Sequence, residues 1–461
     1  VSRYGHIGLV EDQNNLAGTF CGMASVIKIY ALFLGSALLM FGGGLQGLLL
    51  SVRGAEEGFS LFSLGLIGTG WSIGFVAGSI FVPFVVRKVG HIRAFSVMAA
   101  IGTITILLNL LMINDVSWIV LRALSGFCFA GAAMIVESWL NEVADNRSRG
   151  TIFSIYTTIN MTASTMGQLA MSVTGTAGYI PFIIGAISFI CAVLPTAMTS
   201  SPQPRPLTSA KLDLPLLIKT SPVAAVAALC CGMANGAFGT LAPVYGFEQG
   251  MDASGIALLF AIAAIAGAIG QIPFGRLSDK IDRRKVMAGL GFGAAAVGLL
   301  VVLFNPGPGF LMFALFGLYG LAANPLYPIS VAHANDFAVD GQFAKVAGGM
   351  LLIHGIGLAI GPTAASILMG QIAPMALFMV TATFHALVAT FALLRMRARK
   401  SKDASERAPF KPMGTETPET VNLDPRSDIE ASQDFSVASE EAVPEELRNT
   451  NGDGYVQGSK V

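Results

Sequence analysis

Residues 253–285 read ASGIALLFAIAAIAGAIGQIPFGRLSDKIDRRK. From 253 to 275 there is no charged side chain. Then Arg276, Lys280, Arg283, Arg284 and Lys285 arrive together, with Asp279 and Asp282 between them. A helix crosses a hydrocarbon layer about 30 Å thick with about 20 apolar residues. Clustered Arg and Lys mark the end that stays in the cytoplasm. The stretch therefore reads as one membrane crossing and its anchor. Working outward, further apolar runs lie near 28–51, 61–86, 94–113, 116–140, 151–174, 178–198 and 222–247, and then near 286–304, 309–333, 346–370 and 374–395. With 253–275 they make twelve. They are too long and too evenly apolar for the alternating strands of a barrel, and a helix satisfies its own backbone in lipid. The expected fold is all-α, with twelve transmembrane helices in two six-helix bundles.

Composition agrees. The 461 residues are 53% hydrophobic and 12% charged, with mean hydropathy +0.66. Soluble domains carry about 25% charge, so a soluble enzyme or a nucleic-acid-binding module is excluded. Cys128, Cys191, Cys230 and Cys231 lie in apolar runs and Cys21 ahead of them, without zinc or redox spacing; they read as small hydrophobes. No Gly-x4-Gly-Lys-Ser/Thr loop is present for an ATP pump. No His, Asp and Glu set gathers at one depth for an enzyme, and no cofactor or metal is expected. No cleavable signal peptide is read either: Glu11 and Asp12 stand in the first 25 residues, and the first apolar run is too long for a signal core.

Fourteen basic residues fall in the loops on one side of the expected topology and only Arg53 on the other. The expectation is a multi-pass protein of the inner (plasma) membrane with both termini cytoplasmic. The Pro-rich loop 199–221 divides the body. The expected parts are a cytoplasmic N-terminal segment 1–27, bundles 28–198 and 222–395, the central loop, and an acidic tail 396–461. Residues 401–461 hold 13 acidic and 6 basic side chains and few aromatics, a composition that cannot bury enough apolar surface to order itself. The tail reads as disordered, with partner docking as the alternative.

The opening stretch has an earlier copy. Gly78-Ser-Ile-Phe-Val-Pro-Phe-Val-Val-Arg87-Lys88-Val-Gly90-His-Ile-Arg93 stands 192 residues before Gly270-Gln-Ile-Pro-Phe-Gly275-Arg-Leu-Ser-Asp279-Lys280-Ile-Asp282-Arg283-Arg284-Lys285. Each basic cluster follows the second crossing of its half. Such parallel repeats build transporters whose bundles rock about a central site.

The second copy resembles the loop signature of the major facilitator superfamily, roughly G-x-L-x-D-R-x-G-R-R/K, with Asp282 at the usual Gly. The first copy departs further: Pro83 replaces the Gly and Arg87 the Asp. That departure resembles the YcaD-like branch, together with Arg122-x-x-x-Gly126, Glu137-Ser-Trp, Asn146-Arg-Ser-Arg149-Gly150, Gly167-Gln168, Leu241-Ala-Pro243, Gly270-Gln271, Tyr327-Pro328 and Gly361-Pro362. The resemblance covers about residues 28–395. It implies a bacterial inner-membrane transporter and no particular substrate.

Candidate residues follow from both readings. The resemblance implies that Asp279, with Arg283, latches the halves in the outward-open state, and that Arg122 faces the central cavity, serving proton coupling or an anionic substrate. Arg122 lies within a crossing, where a charge costs about 2.5–3.5 kcal/mol at the helix centre, so it needs a partner or water; snorkelling is the alternative. Glu137 is a candidate counter-charge for Arg87, Lys88 or Arg93. Arg149 also belongs to the inner loops, whose charges otherwise serve only topology. Asn160, Asn235, Asn324 and His354 fall near mid-span, and Gln46 shares the outer third with Arg122. They read as cavity-lining, with interhelical hydrogen bonds as the bland alternative. With no carboxylate at mid-span, His354 is read either as a satisfied packing residue, the favoured alternative, or as the candidate proton carrier. Span 5 has no Gly-Pro pair matching Gly361-Pro362, so the drug-antiporter signature normally found there is absent. The expected function is alternating-access transport of a small polar or anionic solute by a monomer among membrane lipids, with a proton as candidate coupling ion. Multidrug efflux is the alternative within the class, and a non-transporting sensor or scaffold the rival outside it.

Overall fold

The computed structural model describes residues 5–144, 149–198, 213–339 and 342–403, with 407, 410, 412 and 413 beyond them. The side-chain surroundings of 5–28 and of 344 are excepted. The helices of the N-terminal half are α1 (Gly5–Glu56), α2 (Leu61–Val89), α3 (His91–Leu111), α4 (Asp115–Val143), α5 (Arg149–Thr174), α6 (Ile180–Cys191) and α7 (Val193–Ala197). A short α8 (Leu214–Thr220) leads into the C-terminal half: α9 (Pro222–Glu248), α10 (Ala253–Lys280), α11 (Arg283–Phe304), α12 (Phe310–Ala323), α13 (Leu326–Phe337), α14 (Phe343–Gln371) and α15 (Ala376–Ala398). Among the described residues, eleven stretches are long and apolar enough to cross a membrane, with α6–α7 and α12–α13 each counted as one. The twelfth crossing is α5, which packs between α1 and α10. It is less apolar because Ser154, Thr158 and Thr162 line its exposed face. Their hydroxyls donate to the carbonyls four residues back at 2.8–2.9 Å, which removes most of the cost of placing them in a crossing.

The helix starts obey local chemistry. Ser60, Asn114, Asp213 and Asp252 each accept a backbone N–H of the first turn through the side chain, the N-cap arrangement. Most of the tail expected from 396 on lies outside the described residues. Three details go beyond the sequence reading. The N-terminal segment joins the first crossing as one helix from Gly5. The described end of the central loop is the helix α8, while 199–212 lie outside the described residues. The tenth crossing is broken at Asn324–Pro325, where proline cannot continue the backbone ladder.

Within each half, glycines set the helix spacing, as lipid-embedded packing requires. A Cβ on Gly126 of α4 would fall 2.1 Å from the Trp71 carbonyl of α2, and one on Gly320 of α12 would fall 2.1 Å from the Ala263 carbonyl of α10. Gly167 of α5 meets the Phe41 carbonyl at 2.0 Å, and Gly361 of α14 meets the Met233 carbonyl at 2.0 Å. Both glycine pairs are 194 residues apart and both carbonyl pairs 192. The repeat seen in the loops is a repeat of helix contacts.

Between the halves, α2 packs on α14. The described hydrogen bonds there lie away from the end bearing the loops at 89–91 and 281–283, called the basic end below. Thr69 Oγ1 donates to the Ala359 carbonyl at 2.6 Å and lies 2.8 Å from Thr363 Oγ1. Ser72 Oγ donates to the Leu358 carbonyl at 3.1 Å. That carbonyl stands four residues before Pro362, which has no N–H to offer it. Pro362 does not break α14; it frees an acceptor that the other half uses. Gly65 and Gly68 of α2 sit against Ser366 and Thr240 so closely that a Cβ would fall at 2.3 and 2.2 Å.

Candidate functional site

Directly below this seam lies a cavity of about 150 Å³ between the halves, whose lining includes Gln46, Trp71, Arg122, Gln168, Asn235 and Thr240. Arg122 projects from α4, 9% exposed. Its Nη1 donates to Gln46 Oε1 at 3.4 Å, and its guanidinium carbon lies 5.8 Å from the Trp71 ring centroid, within cation–π reach. Ser125, one turn along α4, donates to the same Gln46 oxygen at 3.0 Å. Gln46 Nε2 and Gln168 Oε1 are buried without a hydrogen-bond partner among the described residues. The lining thus offers a cation, an amide donor, an amide acceptor and an aromatic face, a set that suits a small polar or anionic molecule.

Of the six residues read as cavity-lining, Arg122, Gln46 and Asn235 meet here. The other three are not part of this lining. Asn160 accepts from Ser36 of α1 at 2.8 Å and so joins α5 to α1. Asn324 packs over Gly267, where a Cβ would fall 1.9 Å from its Nδ2. His354, 1% exposed, stacks on Tyr327 at a centroid distance of 4.0 Å. Each of the three meets a neighbouring helix instead. Trp71, Gln168 and Thr240 were missed as lining residues. The polar two among them are signalled only by lying in apolar runs, and Trp71 is one of 3 tryptophans in the chain.

At the basic end, Arg87, Lys88 and Arg93 are exposed, and Arg87 lies over the Phe84 ring at 4.4 Å. The expected pairing of Glu137 with any of these three is not made among the described residues. Glu137 is 1% exposed and accepts from Tyr156 of α5 at 3.3 Å, because it faces the bundle interior while the basic side chains face out. Arg149 is half-buried at the start of α5. The second loop copy is built differently. Arg283, 1% exposed, donates Nε to Asp336 at 2.7 Å, and its Nη1 lies 2.9 Å from Ser278 Oγ and 3.1 Å from Asp279. Asp279 and Arg283 are therefore joined within one half, across the α10–α11 turn. Asp336 is a partner that sequence reasoning missed. Beside it Arg284 grips Asp282 at 2.7 Å and donates to the Arg395 and Arg399 carbonyls. Burial pushes the Asp282 carboxyl up, but the hydrogen bonds and charge of Arg284 outweigh it and hold the group below its ordinary value. Arg147, Arg205 and Lys211 lie outside the described residues.

Comparisons with known proteins agree with this architecture. The family profile of the Major Facilitator Superfamily matches residues 32–270 and 224–433. The uncharacterized MFS-type transporter YcaD of Escherichia fergusonii is 25% identical over 355 residues, covering 76% of this chain and 90% of the relative. An MFS-type transporter of Enterobacter sp. strain 638 is 26% identical over 351 residues, covering 75% and 89%. Among solved structures, a variant of the nucleoside transporter NupG superposes with TM-score 0.69 at 15% identity, covering 80% of this chain and 99% of the other. A bacterial homologue of the lysosomal transporter Spinster, inward-facing and occupied, gives 0.66 at 17%, covering 82% and 97%. A family-profile match over most of the chain, membrane-crossing helices in two repeated halves and YcaD relatives aligned over most of their length place this chain in the Major Facilitator Superfamily, in its YcaD branch, as a multi-pass membrane transporter and not an enzyme.

Proposed function

We propose that this protein moves a small polar or anionic solute across the membrane by alternating access, with Arg122 as the group that attracts it. The observation that carries this reading is the cavity itself. It lies between the repeated halves and holds a nearly buried guanidinium beside the unfilled donor Gln46 Nε2. A charge placed inside a crossing is retained for function. Ser72 and Leu358 of the seam are part of the cavity wall, so the α2–α14 contact is one side of it. The basic loops and both termini lie on the cytoplasmic side in this reading. A proton is the candidate coupling ion, and the protein works as a monomer.

The test is a thermal-shift screen of anionic and neutral polar metabolites on purified protein, since a bound solute stabilises the folded state. A hit at 100 times its Kd raises stability by about 2.7 kcal/mol. The expected result is a hit lost in Arg122→Ala and retained in Arg87→Ala. Uptake of that hit into proteoliposomes under imposed pH gradients then reports coupling. A hit that stabilises Arg122→Ala as well as the parent removes Arg122 from the site and ends this reading.

A further inference from the structure

Among the described residues, six glycines line the cavity between the halves, and packing explains four of them. A Cβ on Gly43 would fall 2.6 Å from the Phe129 ring, and one on Gly44 2.2 Å from the Ser164 carbonyl. One on Gly68 would fall 2.2 Å from Thr240 Oγ1, and one on Gly236 2.6 Å from the Leu358 carbonyl. Gly47 of α1 and Gly239 of α9 differ. A Cβ at either would meet no heavy atom of the described residues within 4 Å. Glycine weakens a helix relative to alanine, and here no neighbouring helix requires it. What a Cβ would enter at both positions is the cavity.

The two are one position of the repeat. Residues 43, 44, 47 and 48 of α1 line the cavity, and so do 235, 236, 239 and 240 of α9, each 192 later. The same opening is therefore left on both sides of the central space. The walls beside it are not alike. In the N-terminal half, Arg122 and Gln46 present a cation and an amide donor. Their repeat counterparts, 194 and 192 residues on, are Phe316 and Phe238, with ring centroids 5.6 Å apart. Phe238 also lies 5.5 Å from Phe260, which lines the cavity. Asn235 and Thr240 are the polar side chains that this half adds to the lining. Arg122 is the one charged side chain among the described lining residues. One wall thus suits a single negative charge, and a planar carboxylate matches a guanidinium. The other suits an apolar body, and a second ionised group would find no opposite charge.

We propose that the solute is a small organic monocarboxylate, its head toward Arg122 and Gln46 and its body toward Phe260, and that Gly47 and Gly239 set the largest body the cavity admits. The inference rests on the cavity reading above and narrows it. A methyl group at either glycine would fill about 30 Å³, the share of one water, in a space of about 150 Å³.

The probes are the sodium salts of acetic, propionic, butyric, valeric and hexanoic acids, titrated at constant ionic strength into the purified full-length protein. Thermal unfolding reads their binding. At least two should raise the melting temperature of the parent, and none should raise that of Arg122→Ala. In Gly47→Ala and in Gly239→Ala, the longest acid that stabilises the parent should need at least tenfold more for the same shift. The shortest effective acid should need less than twofold more. Gly289→Ala is the control, at an exposed glycine of α11 where a Cβ also meets nothing within 4 Å; it should move neither acid. Without acid, all three alanine variants should melt at or above the parent temperature, since alanine favours a helix. Fewer than two stabilising acids overturns the monocarboxylate class and leaves the wider cavity reading to its own screen. A lower melt in Gly47→Ala or Gly239→Ala means that the glycine serves packing and overturns the size filter. So does a response in either variant that is unchanged, or weakened equally for every acid. Acids that stabilise Arg122→Ala as well as the parent end both this inference and the reading beneath it.

Discussion

At the basic end the two copies of one loop repeat have taken opposite forms. The first leaves Arg87, Lys88 and Arg93 exposed, with Arg87 resting on Phe84. The second buries Arg283 against Asp336 and Asp279, clamps Arg284 to Asp282, and takes the Phe410 N–H on Asp279. The difference begins with one position. Where the second copy has Asp279 the first has Arg87, and without an acid the first cluster has nothing to fold around. Sequence repetition fixed where the basic charges stand, while the acid decided whether they become structure or remain solvated.

The largest expected effect breaks this contrast directly. Arg283→Ala leaves the Asp336 carboxylate, 4% exposed, without its guanidinium, and removing one partner of a buried pair costs about 3–5 kcal/mol. Arg87→Ala, on an exposed side chain, should change stability by no more than about 0.5 kcal/mol. Thermal unfolding in detergent measures both; comparable losses would mean the two loops are equivalent after all. Next in size are the glycine contacts, where the halves should behave alike. Gly167→Val and Gly361→Val each push a side chain into a carbonyl at 2.0 Å and should each cost about 1–3 kcal/mol. A large loss in one and none in the other would break the structural repeat. The smallest effect is the pH response of the second loop. The Asp282 carboxyl is held below its ordinary 3.8, so its stabilisation is present at neutral pH and is lost as pH falls through its folded value, below 3.8. Melting curves of Asp282→Asn should show a shallower acid-side decline than the parent. An unchanged slope would mean the Arg284 clamp contributes nothing.

Much of the site was out of reach of helix periodicity. Arg122 declared itself because a charge in an apolar run has few explanations, and Gln46 and Asn235 shared its depth. Asn160 and His354 had the same credentials and instead meet Ser36 and Tyr327 of neighbouring helices, because depth along a helix is written in the sequence and the face it presents to a neighbour is not. Trp71 carried no mark at all; an aromatic in a lipid-crossing helix is ordinary until a guanidinium lies near it. Asp336 was hidden because its partner Arg283 is 53 residues away in the chain, a separation that no local pattern spans.

The sequence by itself determined the number of crossings, the division into halves and the placement of the basic loops. Those follow from the transfer of single residues between water and hydrocarbon, which is local and nearly additive along the chain. The tertiary structure decided which polar residues line the cavity between the halves, which hydroxyls join α2 to α14, and that Phe410 lies against Asp279 and Met413 against Gln271. Those outcomes depend on how one helix is rotated against another, and that is settled by the shapes of both together.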